Sequence, residues 1–198
     1  MRKSQKQYES SRTVFYNSLQ VVEVTLEKLT QYLSDNLLYQ PGFEYRARIM
    51  RQIYENIVNY LSEITKLVSH KTDNLLTKEE QAISHLKRAV DLLCEVNILL
   101  ASERNLQLPT FEIIYSLNQL IQDTVALFVQ VLLRPTVSFL PYQINELEMG
   151  AKKLYQIALK TQIMNHMGKD TYNFRLYLII EKMKDIVVNL CEAMIHLL

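Results

Sequence analysis

Glycine and proline are scarce in this chain of 198 residues, which has 3 Gly and 4 Pro. An all-β protein spends such residues at its many turns, so the shortage excludes that class and argues for long helices with few corners. Cysteine is scarcer still. Cys94 and Cys191 lie on the apolar sides of predicted helices and read as buried free thiols in a reducing compartment. Excess charge of one sign is also missing. With 22 Lys and Arg against 21 Asp and Glu, the formal charge of +1 gives no bulk attraction to nucleic acid or to an anionic membrane. The most apolar run, Val125 to Leu133, is too short to span a bilayer and is interrupted by Gln130. Residues 1–7 are polar with no apolar segment behind them, so no signal peptide is read. These features predict a cytoplasmic protein, or one held beside a membrane through a partner. No glycine-rich loop could cradle a nucleotide phosphate, no Ser/His/Asp set is recognisable, and no segment carries a strand period.

What the chain does have is apolar residues at helical spacing. With 48% hydrophobic and 22% charged residues it is expected to fold as a soluble globular protein. Phe15, Leu19, Val22, Leu26, Leu29 and Leu33 form one stripe of a first helix from about Tyr8, after a frayed basic start, and Pro41-Gly42 ends it. A second helix runs from about Glu44 to His70 with Ile49, Ile53, Ile57, Leu61 and Ile64, and Lys71 to Asn74 closes it. Thr77 and Glu80 read as a capping box that opens a third helix carrying Ile83, Leu86, Val90, Leu93, Asn97 and Leu100. A fourth is expected from about Thr110 to Leu133, followed by a loop bracketed by Pro135 and Pro141. A fifth is expected over about Tyr142 to Met167, with Gly168 as a left-handed cap, and a sixth starts at Asp170 or Thr171.

The halves resemble one another. Arg88 precedes Asp91 by three positions, and Lys182 precedes Asp185 likewise. Leu154-Tyr155-Gln156 mirrors Ile53-Tyr54-Glu55, and Cys94 and Cys191 hold nearly matching places. Two copies of helix, proline-containing loop, helix, short loop and helix give an all-α six-helix bundle built from pseudo-repeats of about 8–104 and 109–198, in a single domain over 1–198.

Glu181, Asp185 and Asn189 are four apart on the sixth helix, so their side chains stack along one face. Two carboxylates at that spacing suit a hard divalent cation or polynuclear iron if other helices supply further oxygens. The bland alternative is a solvated stripe paired with Lys182 and Lys184. The segment Glu181 to Glu192 resembles the signature of the PhoU family. That signature has an acid, then a base, an aspartate at the fourth step, and an asparagine and glutamate downstream on the third helix of each repeat. Glu181, Lys182, Asp185, Asn189 and Glu192 match it. In the first half Arg88, Asp91 and Glu95 fit, but Lys87 stands where the acid belongs.

The resemblance implies two three-helix bundles in tandem, metal clusters on the acidic motifs, and a regulator or accessory of phosphate uptake that works with a phosphate transporter or sensor kinase. Lys87 would neutralise a site at Asp91, so any metal is expected at Glu181 and Asp185, supported by Asn189, Glu192 or Asp91. Glu55, Glu146 and Glu148 are further oxygen donors on neighbouring helices. Lys182 and Lys184 oppose binding, so the expectation is no bound cofactor and an empty or weak site.

His70, His85, His166 and His196 show no metal-ligand spacing with each other or with the cysteines. Glu192 and His196 are four apart but lack the second such pair of a di-iron bundle. His85 before Lys87 and Arg88 resembles a histidine phosphotransfer helix without its small-residue pattern. The expected function is therefore non-enzymatic regulation of phosphate transport by protein–protein contact. The alternative is a helical scaffold that binds a protein through an inter-helix groove, unrelated to phosphate. A second copy of the chain is a further candidate partner.

Overall fold

The computed structural model describes residues 2–38, 43–69, 76–102, 108–133, 138–165 and 171–198. Among these the protein is all helical: α1 (Arg2–Leu38), α2 (Phe43–Ser69), α3 (Leu76–Ser102), α4 (Leu108–Leu133), α5 (Leu140–Asn165) and α6 (Thr171–Leu197). The expected stops at Pro41-Gly42, Lys71 to Asn74, Pro135 and Gly168, and the side chain of Thr77, lie outside the described residues.

Three boundaries differ from the sequence reading. Helix α1 begins at Arg2 rather than near Tyr8. Residues 2–13 contain no glycine or proline, and their Lys, Arg, Gln and Glu are good helix formers, so nothing stops the helix there. Pro141 does not close a loop but is the second residue of α5, as Pro109 is of α4. In a first turn the missing N–H of proline has no carbonyl to bond, and its fixed φ suits the helix. Thr77 falls inside α3, which begins at Leu76, rather than ahead of it as a cap.

The apolar stripes face one core. Leu19, Val22, Leu26, Leu29 and Leu33 of α1 are fully buried, as are Leu61 of α2 and Ile114, Leu117, Ile121 and Phe128 of α4. Burying each such side chain contributes about 1.5–3 kcal/mol. Helices α3 and α6 are buried over a wider arc, because Ala89, Val90, Leu92 and Leu93 and Ile186, Val187, Leu190 and Cys191 are all covered. They are the central pair and pack most extensively on one another. Helix α3 also meets α1 and α2, α6 also meets α4 and α5, and α1 meets α2 and α4 while α4 meets α5. Among the described residues this map of neighbours is unchanged when α1, α2 and α3 are exchanged for α4, α5 and α6.

Polar contacts set the register of α1 on α4. Asn118 Nδ2 and Gln122 Nε2 donate to Ser34 Oγ at 3.1 and 2.7 Å, and Ser34 Oγ donates in turn to the carbonyl of Thr30 at 3.1 Å. A half-buried hydrogen-bond set of this kind favours one alignment because sliding the helices would strand its members. Residues Thr110–Leu133 of α4 are long and apolar enough to cross a membrane by length and composition, a limit the shorter run from Val125 does not reach. Ile114, Leu117, Ile121, Val125 and Phe128 on that helix are buried in the bundle.

Candidate functional site

The two stripes that stand out in the sequence lie on the central helices, and each meets a tyrosine from the helix before it. On the first half, burial and then the Asp91 carboxylate of α3 push the phenol of Tyr54 on α2 above the ordinary value. Tyr54, Asp91, Arg51, Glu55, Arg88 and Glu95 line a cleft of about 450 Å³ between α2 and α3. Asp91 Oδ1 is buried there with no hydrogen-bond partner. Cys94 borders the cleft, and its thiol is pushed up to about 12 by burial first and then by Asp91 and Glu95. It is therefore a thiol rather than a thiolate at neutral pH, and a poor nucleophile.

On the second half, Tyr155 of α5 shares a hydrogen bond with Tyr177 of α6, the two hydroxyls alone making it. Burial, that bond, and the charges of Glu181 and Asp185 raise the Tyr155 phenol. Lys184 sits 4.7 Å from the centre of the Tyr155 ring and 2.7 Å from Asp185 Oδ1. The ammonium thus meets both a π face and a carboxylate. Lys182 pairs across the seam with Glu95 of α3. Cys191 is buried, its thiol donates to the carbonyl of Ile144 at 3.5 Å, and burial pushes it up to about 12.

The stripe of α6 does not stay together. Glu181 and Asp185 face the Tyr155 end with Lys184 bound to Asp185. Asn189 and Glu192 turn to α3. Asn189 Nδ2 donates to the carbonyl of Asp185 at 2.8 Å, and Asn189 Oδ1 lies 3.2 Å from His85 Nδ1. Of the supporting donors, Glu55 shares the α2–α3 cleft with Asp91, Glu146 accepts from the Tyr142 hydroxyl at 2.7 Å, and Glu148 pairs with Lys152. Among the described residues, the set of three metal-capable side chains whose donor atoms converge is His85, Glu192 and His196; Glu181, Asp185 and Asp91 are not in it. The rings of His85 and His196 stack at 5.6 Å with 18° between their planes. His70 and His166 lie outside the described residues.

The spacing of histidines along the chain carries no sign of this trio, because His85 joins it from α3. The signal that was present is the pair Glu192 and His196, one turn apart on α6 and so on one face. These features define an all-α six-helix bundle with ionic and imidazole groups along its central seam. Comparison with protein-family models, curated proteins and solved structures gives no match to this chain.

Proposed function

We propose that this protein is a non-enzymatic, PhoU-like regulator or accessory of phosphate transport and signalling, cytoplasmic, acting by protein–protein contact. The observation that carries the reading is that Tyr54 and Tyr155, at matching places in the two halves, each feel the charge of the aspartate in their own half, Asp91 and Asp185. The first pair joins α2 to α3 and the second α5 to α6, the helices that exchange in the map of neighbours. A duplicated three-helix unit, about 8–104 and 109–198, accounts for both facts and is the layout the motif on α6 implies. The half-buried Glu181, Lys182, Lys184 and Asp185 leave a mixed-charge surface suited to a charged partner rather than to catalysis. Crosslinking of tagged protein in its native cells tests the reading. A phosphate permease or sensor kinase is expected among the partners and is lost on charge reversal at Asp185. Recovery of unrelated partners alone removes phosphate from the account.

A second reading rests on a separate observation. Between α1 and α2 a cleft of about 560 Å³ is lined by Val21, Tyr32, Ile53, Ile57 and Tyr60 together with the polar Thr25, Lys28, Gln31 and Asn56, with Val21 well exposed at its edge. An amphipathic helix of another protein fits such a mixed apolar and polar groove, which makes the chain a scaffold with no link to phosphate. Partner capture abolished by Val21→Asp and indifferent to Asp185 favours this reading over the first.

A further inference from the structure

We propose that His85, Glu192 and His196 bind a first-row divalent transition cation, with Zn2+ the ion they fit best. Their donor atoms all lie within 4.8 Å of one another, and all three side chains are half-buried. Donors on a single zinc stand about 2.0–2.2 Å from it and so about 3.3–3.5 Å from one another, so the stacked rings of His85 and His196 must turn and the set must draw in to hold one ion. Two imidazoles and one carboxylate favour zinc and its neighbours over calcium and magnesium, which take oxygen ligands.

A hydrogen bond prepares His85 for the role. The carbonyl of Asp185 can only accept, so the amide nitrogen of Asn189 must face it, and the amide oxygen must face His85. That oxygen cannot donate, so the bond needs a proton on His85 Nδ1, which leaves Nε2 as the ring nitrogen able to offer a lone pair to a metal. A neutral imidazole whose other nitrogen is held by an outer hydrogen bond is the form in which histidine ligates metals. His196 lies in the last turn of α6, where the carbonyl end of the helix dipole favours a positive charge. A competing cation is Lys152 of α5, whose charge reaches Glu192 but whose ammonium is already paired with Glu148. A bound ion would join α3 to α6 across the seam. The role that follows from such a bridge is a clasp between the two helices.

The test uses the whole chain purified without chelator. Zn2+ is titrated in competition with a chromophoric chelator, and Co2+ is added as a spectroscopic probe. One equivalent of Zn2+ per chain is expected, with a rise in Tm and a cobalt visible spectrum of nitrogen ligation. Glu192→Gln and His196→Gln, checked for helicity by circular dichroism, are each expected to abolish stoichiometric binding. Asn189→Leu should weaken it about tenfold, as loss of an outer partner does. Asp185→Asn should leave it unchanged, which separates this site from the regulatory reading of the α6 stripe. Absence of zinc binding by the unaltered protein overturns the proposal, as does binding lost in Asp185→Asn but kept in Glu192→Gln. Should both ligand variants unfold, the cobalt spectrum of the unaltered protein decides: an all-oxygen spectrum overturns the site.

Discussion

Asn36 on α1 donates through Nδ2 to the side-chain oxygen of Asn97 on α3 at 2.9 Å, in a part of the core where both residues are buried. Asn97 in turn donates to the carbonyls of Leu93 at 2.9 Å and Leu29 at 3.3 Å. The amide of Asn97 is thus used on both sides, and it bridges α1 and α3 among leucines. Asn97→Ala removes the acceptor of Asn36 and leaves a cavity, so a loss of about 2–3 kcal/mol is expected. Urea denaturation measures it. A double-mutant cycle with Asn36→Ala should show a coupling of about 1 kcal/mol, and purely additive losses would mean that the two amides do not cooperate.

Gly150 lies inside α5, and a methyl group added there would meet Leu120 at 3.5 Å, an ordinary contact. Glycine in mid-helix carries an entropic penalty that alanine lacks. Gly150→Ala is therefore expected to stabilise the protein by about 0.5–1 kcal/mol. Thermal unfolding checks this, and a lowered Tm would mean that α4 and α5 cannot accommodate the methyl.

The pair of Lys182 with Glu95 looks important because it crosses the central seam, yet the Glu95 side chain is 49% exposed. Solvent screens such a pair, and exposed ion pairs contribute about 0–1 kcal/mol. Glu95→Gln is expected to cost less than about 1 kcal/mol, with most of the difference vanishing in high salt. A larger, salt-independent loss would show that the pair is shielded more than its exposure implies.

Both thiols are held protonated by burial, with Cys94 and Cys191 each pushed up to about 12. The unfolded chain releases these protons near the ordinary value of about 8.5, whereas the folded chain keeps them. Folded groups raised in this way support stability below the unfolded value and lose that support as pH rises through the folded one. Stability should therefore fall from about pH 9 toward pH 12, by up to about 1.4 kcal/mol per pH unit for each thiol. A flatter alkaline limb in the Cys94→Ala, Cys191→Ala double variant is the expected result. A limb with undiminished slope would assign alkaline unfolding to the tyrosines instead.

Most of the helices were legible because the signal is local. A 3.6-residue recurrence such as Leu19, Val22, Leu26, Leu29 and Leu33 fixes both the helix and its buried face, and all five are buried. Pro141 was misread because proline serves equally to end a loop and to occupy a first turn, and the residues around it do not decide between the two. The mirror of Tyr54 and Tyr155 was legible as a repeat of letters, and the structure adds that each phenol feels the aspartate charge of its own half. The convergence of His85 with Glu192 and His196 was not legible. It depends on how α3 and α6 align, and no periodicity within either helix specifies the register of the other. Asp185 illustrates the reverse case: its place on one face with Glu181 was readable, but its ion pair with Lys184 sets its surroundings.

The seam between α3 and α6 also has a kinetic consequence. Its contacts join distant parts of the chain: His85 meets Asn189 across 104 positions, and Lys182 meets Glu95 across 87. The pairs α2 with α3 and α5 with α6, by contrast, follow one another directly and can zip as helical hairpins. Closing a long loop costs entropy before its contacts repay it, so the hairpins are expected to form ahead of the seam. Truncations in the seam, such as Leu86→Ala and Met183→Ala, should then accelerate unfolding while leaving the refolding arm of a stopped-flow chevron nearly unmoved. A slowed refolding arm would place the two central helices together in the transition state, and make this long-range seam its nucleus.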